Sequence, residues 1–139
     1  MRTVGQSAPD FSLPDQHATV HSLSAERGTW VLLYFYPKDD TPGCTAEACG
    51  FRDQFETLRE RGVVVFGISA DSVESHRKFS EKFSLPFPLL SDSEKTVIDA
   101  YGAWGEKSFM GKKYSGILRI SYLIDPNGMI AKAYDTKLQ

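Results

Sequence analysis

Cysteine is scarce in this chain: 139 residues hold two, Cys44 and Cys49. Two thiols are too few for a disulfide scaffold, and a chain of this length can bury a core without one. An excess of charge of one sign is also missing. Sixteen Lys and Arg face eighteen Asp and Glu, a formal net charge of −2. With no basic block, nucleic-acid binding is not expected. No apolar run approaches the roughly 20 residues a membrane span needs. The opening M-R-T-V-G-Q-S-A-P-D-F lacks the apolar stretch of a signal peptide, so a reducing cytoplasm is the expected setting. Repeats, low-complexity tracts and linkers are absent too, which leaves one domain over residues 1–139.

What is present is a strand–turn–helix unit around residues 37–49, P-K-D-D-T-P-G-C-T-A-E-A-C. Before it lies W-V-L-L-Y-F-Y, the continuous apolar pattern of a strand buried on both faces. After it, Thr41 suits an N-cap and Pro42 the first helical position. Cys44, Ala48, Phe51, Phe55 and Leu58 then recur at helical spacing, so Cys44 begins the inward stripe. Gly62 fits the helix stop.

Further along, V-V-V-F-G-I-S at residues 63–69 predicts a second buried strand. Asp71 and Glu74 resemble a capping box that opens a helix to about Phe83. Its inner side is expected to carry Val73, Phe79 and Phe83, with His76 packing or facing solvent. Pro86 and Pro88 fit a connection or an edge strand. Ser91 and Glu94 predict another helix, with Val97, Ile98 and Tyr101 inside and Gly102 as its end. Residues 103–116 read as a Gly- and Lys-rich loop carrying Trp104, Phe109 and Tyr114. Two extended runs around D-P-N-G predict a terminal hairpin. Near the start, Pro9 and Pro14 punctuate short edge strands, and His17 and His21 read as surface residues. The alternation of strands and helices implies an α/β protein with a central mixed sheet flanked by helices.

The chemistry gathers at Cys44. A thiol reacts as its thiolate, and the first turn of a helix favours that form through its unpaired N–H groups and macrodipole. The bland alternative is a small buried hydrophobe. Arg119 stands among apolar neighbours, and a buried guanidinium needs a partner. Either it pairs with a carboxylate, Glu47 or Asp53, or it serves an anion or thiolate. Cys49 follows Cys44 by five residues. In an intact helix their Cα atoms are about 8.7 Å apart, beyond the roughly 7 Å limit for a disulfide. So Cys49 is either inert, or the first turns unwind when it pairs with Cys44.

Pro37, Thr41 and Cys44 in the spacing P-x-x-x-T-x-x-C resemble the active-site signature of the peroxiredoxins. The longer stretch F-Y-P-K-D-D-T-P-G-C, with Y-G-A-W-G-E-K and the Arg119 segment before L-I-D-P-N-G, is similar to their Q-type, or bacterioferritin-comigratory, group. That resemblance implies a thioredoxin-like fold and a thiol peroxidase without metal, haem or flavin. Cys44 would be the peroxidatic cysteine, Thr41 would orient the peroxide, and Arg119 would stabilise the charges. Pro37 would shield the pocket. Cys49 would be the resolving cysteine, forming a 44–49 disulfide that thioredoxin or a glutaredoxin-like protein reduces. A monomer or weak dimer is expected. The family usually continues into a C-terminal helix, which this chain is expected to lack.

Three other readings compete. A disulfide oxidoreductase would want C-x-x-C at the helix start, whereas the spacing here is C-x4-C. A holdase on the same fold would use the aromatic loop. A cysteine hydrolase needs a base beside its thiol, and no histidine has an evident reason to approach Cys44.

Overall fold

The apolar run after residue 29 forms the middle strand of a five-stranded mixed sheet. The computed structural model describes residues 1–135. In chain order the elements are β1 (Ser12–Pro14), β2 (Val20–Ser22), β3 (Trp30–Phe35), α1 (Pro42–Glu60), β4 (Val63–Ser69) and α2 (Val73–Phe83). There follow β5 (Leu89–Ser91), α3 (Thr96–Ala100), β6 (Trp104–Phe109), β7 (Lys112–Ile117), β8 (Ile120–Ile124) and β9 (Ile130–Asp135). The sheet order is β5-β4-β3-β8-β9, with β3, β4 and β5 parallel and β8 and β9 antiparallel. This is the α/β mixed sheet that the alternating pattern predicts. The expectation about a C-terminal helix falls on residues outside those described.

Strand periodicity of two separates the sheet into two cores. Val31, Leu33 and Phe35 of β3 join Phe66, Ile68, Ile98, Tyr101 and Tyr122 on one face. Tyr34 and Tyr36 join Cys44, Ala48, Val65, Phe79 and Leu89 on the other, beneath α1 and α2. Phe51, Phe55 and Leu58 pack against that second cluster. The inward stripe starting at Cys44 is therefore present as the spacing predicts.

Local signals fare unevenly. Thr41 is the residue before α1, extended at φ −105° and ψ 154°, and Pro42 opens the helix. Yet the Thr41 hydroxyl donates to the Lys38 carbonyl at 2.9 Å rather than capping the helix. Gly62 ends the helix at φ +74°, a left-handed conformation that costs glycine little. The expected Asp71/Glu74 capping box is replaced by Ser72, whose hydroxyl accepts from the Ser75 N–H at 3.1 Å. Asp71 instead accepts from the Ser69 hydroxyl and the Asp39 N–H. The third helix starts later than expected, at Thr96, with the Asp92 carboxylate accepting from the Ile98 N–H at 2.7 Å.

The largest correction is at residues 103–116, which are not a loop. β6 and β7 pair as a separate antiparallel ribbon. Its turn residues Met110 and Gly111 have φ +51° and +81°. Positive φ at both central positions is the primed hairpin turn that matches strand twist. The ribbon is largely exposed on both faces, so no apolar alternation marks it in the sequence. The apolar neighbours of Arg119 predict a strand position, but it lies in the break between β7 and β8.

Candidate active site

The turn after β3 leads from Tyr36 through Pro37 and Thr41 into α1, at the C-terminal ends of the parallel strands. In open α/β sheets that end is where crevices for ligands form. Cys44 is the third residue of α1 and only 1% exposed. Its Sγ accepts a hydrogen bond from Arg119 Nη2 at 3.3 Å. Arg119 Nη1 donates to Glu47 Oε1 at 2.8 Å. Glu47 is three residues past Cys44, the spacing that puts two side chains on one helix face. One guanidinium thus spans the thiol and the carboxylate.

Both partners left open for Arg119 can now be assigned. It meets Glu47 and the sulfur together, while Asp53 receives a bond from its neighbour Arg52. Gly43 makes room for this: a Cβ there would sit 3.2 Å from Arg119 Nη2. Burial raises the Glu47 carboxyl above its ordinary value, against the opposing pull of Arg119. For Arg119 burial is the largest single influence and acts downward. The Cys44 sulfur and Glu47 together outweigh it, so its guanidinium is held more firmly protonated than usual. Within this triad the positive charge is the secure one.

Pro37 and Thr41 are half-buried on the same turn. Because the Thr41 hydroxyl proton is committed to Lys38, its oxygen is left to accept from a ligand. Cys49 is half-buried, both cysteines are free thiols, and α1 runs unbroken across them.

A second polar cluster holds this turn from the other side, and the sequence reading missed it. Asp39 is 7% exposed and His76 fully buried. Asp39 accepts from the Tyr36 hydroxyl at 2.6 Å and the Ser75 hydroxyl at 2.8 Å, and its Oδ2 lies 2.7 Å from His76 Nδ1. Burial, reinforced by Tyr34 and Asp39, pushes the Tyr36 phenol well above its usual value. A signal existed: His76 falls three residues after Val73 and three before Phe79, on the stripe that faces inward. The ligand-type atoms of Asp39, Asp71 and His76 lie within 4.8 Å of one another, close enough for a cation, but each is already engaged in hydrogen bonds. His17 is exposed as expected, whereas His21 is half-buried and paired with Asp15 at 2.7 Å. Among the described residues no helix is long and apolar enough to cross a membrane.

Comparison with known proteins agrees with this geometry. The profile of the AhpC/TSA family matches residues 4–133. The Peroxiredoxin Bcp of Escherichia coli K12 is 53% identical over 131 residues, covering 94% of this chain and 84% of that protein. A structure of the Xanthomonas campestris bacterioferritin comigratory protein, described for its alkyl peroxide reduction activity, superposes with TM-score 0.85. It is 37% identical, over 90% of this chain and 80% of that one. A cysteine-to-serine variant of Xylella fastidiosa PrxQ gives TM-score 0.91 at 32% identity, over 97% and 86% of the two chains. The thioredoxin-like α/β arrangement is common to them.

Proposed function

From the premise that this chain belongs to the AhpC/TSA family, as a thiol peroxidase among its peroxiredoxins, we propose that Cys44 is the atom source of that chemistry, acting on hydrogen peroxide and organic hydroperoxides. The observation that carries this reading is the 3.3 Å contact between Cys44 Sγ and Arg119 Nη2. A full positive charge beside a buried sulfur favours the thiolate, the nucleophilic form. It also lies where negative charge grows on the departing oxygen.

The thiolate attacks one peroxide oxygen. An S–O bond forms, the O–O bond breaks, and water or an alcohol leaves after taking up a proton. Cys44 becomes a sulfenic acid. Thr41 accepts from the peroxide hydroxyl and Pro37 limits access of water. Cys49 then attacks the sulfenic sulfur, releasing water and leaving a 44–49 disulfide. A dithiol reductant, thioredoxin or a glutaredoxin-like protein, restores both thiols and is itself oxidised.

The resolving step has a structural requirement. In an intact helix those Cα atoms lie about 8.7 Å apart, against the roughly 7 Å limit of a disulfide. The first turns of α1 must open, and Glu47 lies inside the segment that opens. Resolution therefore also separates Glu47 from Arg119. Residues 1–139 are proposed to work as one domain, a monomer or weak dimer, in the cytoplasm.

Peroxide-dependent NADPH consumption with thioredoxin and its reductase tests this. Cys44→Ser is expected to abolish turnover. Cys49→Ser is expected to reduce one equivalent of peroxide, accumulate the sulfenic acid and then stop. In the parent protein oxidation should lower the helical circular-dichroism signal. Unchanged NADPH consumption by Cys44→Ser would end the reading; sustained turnover by Cys49→Ser would make Cys49 a bystander.

A further inference from the structure

We propose that Asp39 and His76 are positioning residues for the peroxide reaction, a buried proton-bridged pair that fixes the turn carrying Pro37 and Thr41 against α2. The proposal rests on the peroxidase reading and deepens it. Both acidic side chains of the turn reach α2. Asp40 meets Lys82 at 2.8 Å, but both partners are exposed, and such pairs contribute little. Asp39 is in a different situation: almost all of its carboxylate is out of water, and three side chains hydrogen-bond with it.

The state of the pair follows from its partners. His76 Nε2 lies 3.0 Å from the Leu90 carbonyl oxygen, which can only accept, so Nε2 carries a hydrogen. His76 Nδ1 lies 2.7 Å from Asp39 Oδ2. Two lone pairs do not approach that closely, so a proton fills this gap as well. The Tyr36 and Ser75 hydroxyls already donate to the carboxylate. One proton shared between Nδ1 and the carboxylate leaves every donor and acceptor of the pair engaged. Tyr36 directly follows β3, Ser75 and His76 come from α2, and Asp71, just past β4, accepts from the Asp39 N–H at 2.7 Å. One aspartate thus ties the turn to three elements of the scaffold.

The link to chemistry is short. Asp39 is two residues from Pro37 and two from Thr41, and α1 with Cys44 starts directly afterwards. His76 acts through Asp39, and Asp39 acts through the backbone of the turn. Removing one member of a buried pair leaves the other uncompensated, and the turn loses its fixed position. A thiolate that only needs to exist is little affected. A thiolate that must meet a peroxide held by Thr41 is affected strongly.

The test compares two reactions of Cys44 in His76→Leu: oxidation by hydrogen peroxide, and alkylation by iodoacetamide, which needs the thiolate but no peroxide cradle. Misplacement of the turn is expected to slow oxidation about tenfold to hundredfold and to change alkylation by less than about threefold. Proportional loss of both rates, or no selective loss of oxidation, overturns the proposal. Should His76→Leu not fold, Ser75→Ala removes one donor from a half-buried site. It is expected to lower the oxidation-to-alkylation ratio in the same direction, and an unchanged ratio overturns the proposal. A parent protein that consumes no peroxide sinks the peroxidase reading and this inference together; an active parent with an unchanged ratio in the variant sinks the inference alone.

Discussion

Replacing Arg119 with methionine keeps an unbranched side chain of similar reach and removes the charge, which isolates the electrostatic part of the proposed mechanism. At the 3.3 Å separation of Nη2 and Sγ, the bare attraction between unit charges in an effective dielectric of 20 is about 5 kcal/mol, a ceiling. The guanidinium is shared with Glu47 and only part of its charge faces the sulfur. Hydrogen bonds to charged groups contribute about 1.5–3 kcal/mol net. Loss of one preorganised donor at a developing oxyanion costs about 2.7–4 kcal/mol in comparable sites. A loss near 3 kcal/mol satisfies all three bounds, which is about a 100-fold slower reaction. The assay is the second-order rate of Cys44 oxidation by stopped flow, with folding checked by circular dichroism. Arg119→Lys should fall between, because a lysine cannot span Glu47 and the sulfur with a planar fork. A folded Arg119→Met that reacts within about fivefold of the parent would refute the electrostatic reasoning.

Two further outcomes concern stability. Burial raises the Glu47 carboxyl, so the folded protein holds this proton more tightly than the unfolded chain. Its contribution to stability is fully present below the unfolded value of about 4.3 and is lost as pH rises through the folded one. As pH falls from neutral, the parent should therefore gain stability relative to Glu47→Gln in urea midpoints, and the opposite trend would refute the sign. Gly67→Ala places a Cβ 2.7 Å from Tyr34 Cζ and 3.0 Å from Leu89 Cδ2, both fully buried. Overpacking there should cost about 1–3 kcal/mol, and an unchanged unfolding midpoint would contradict the packing described.

Elements with their own periodicity were legible in advance. The apolar run V-V-V-F-G-I-S is β4 to the residue, and the stripe from Cys44 to Leu58 is the buried side of α1. The β6–β7 ribbon was not legible, because it buries little and its turn uses Met-Gly rather than Asn-Gly. Capping was legible in place only at Thr41, and there not in partner. Ser72 displaced Asp71 at α2 because Asp71 is occupied by Ser69 and the Asp39 N–H.

At the site the division is sharper. The turn residues, the helical address of Cys44 and the five-residue offset of Cys49 are local facts, set by spacing along one strand–turn–helix unit. Any fold containing that helix keeps those two thiols too far apart to bond until it opens. Arg119 reaches Cys44 across 75 residues of sequence and Glu47 across 72, and His76 reaches Asp39 across 37. No rule of period or propensity acts over such separations. Which carboxylate pairs with the guanidinium, and which histidine is drawn under the turn of the candidate site, follow from how the sheet brings β3, the β7–β8 junction and α2 together.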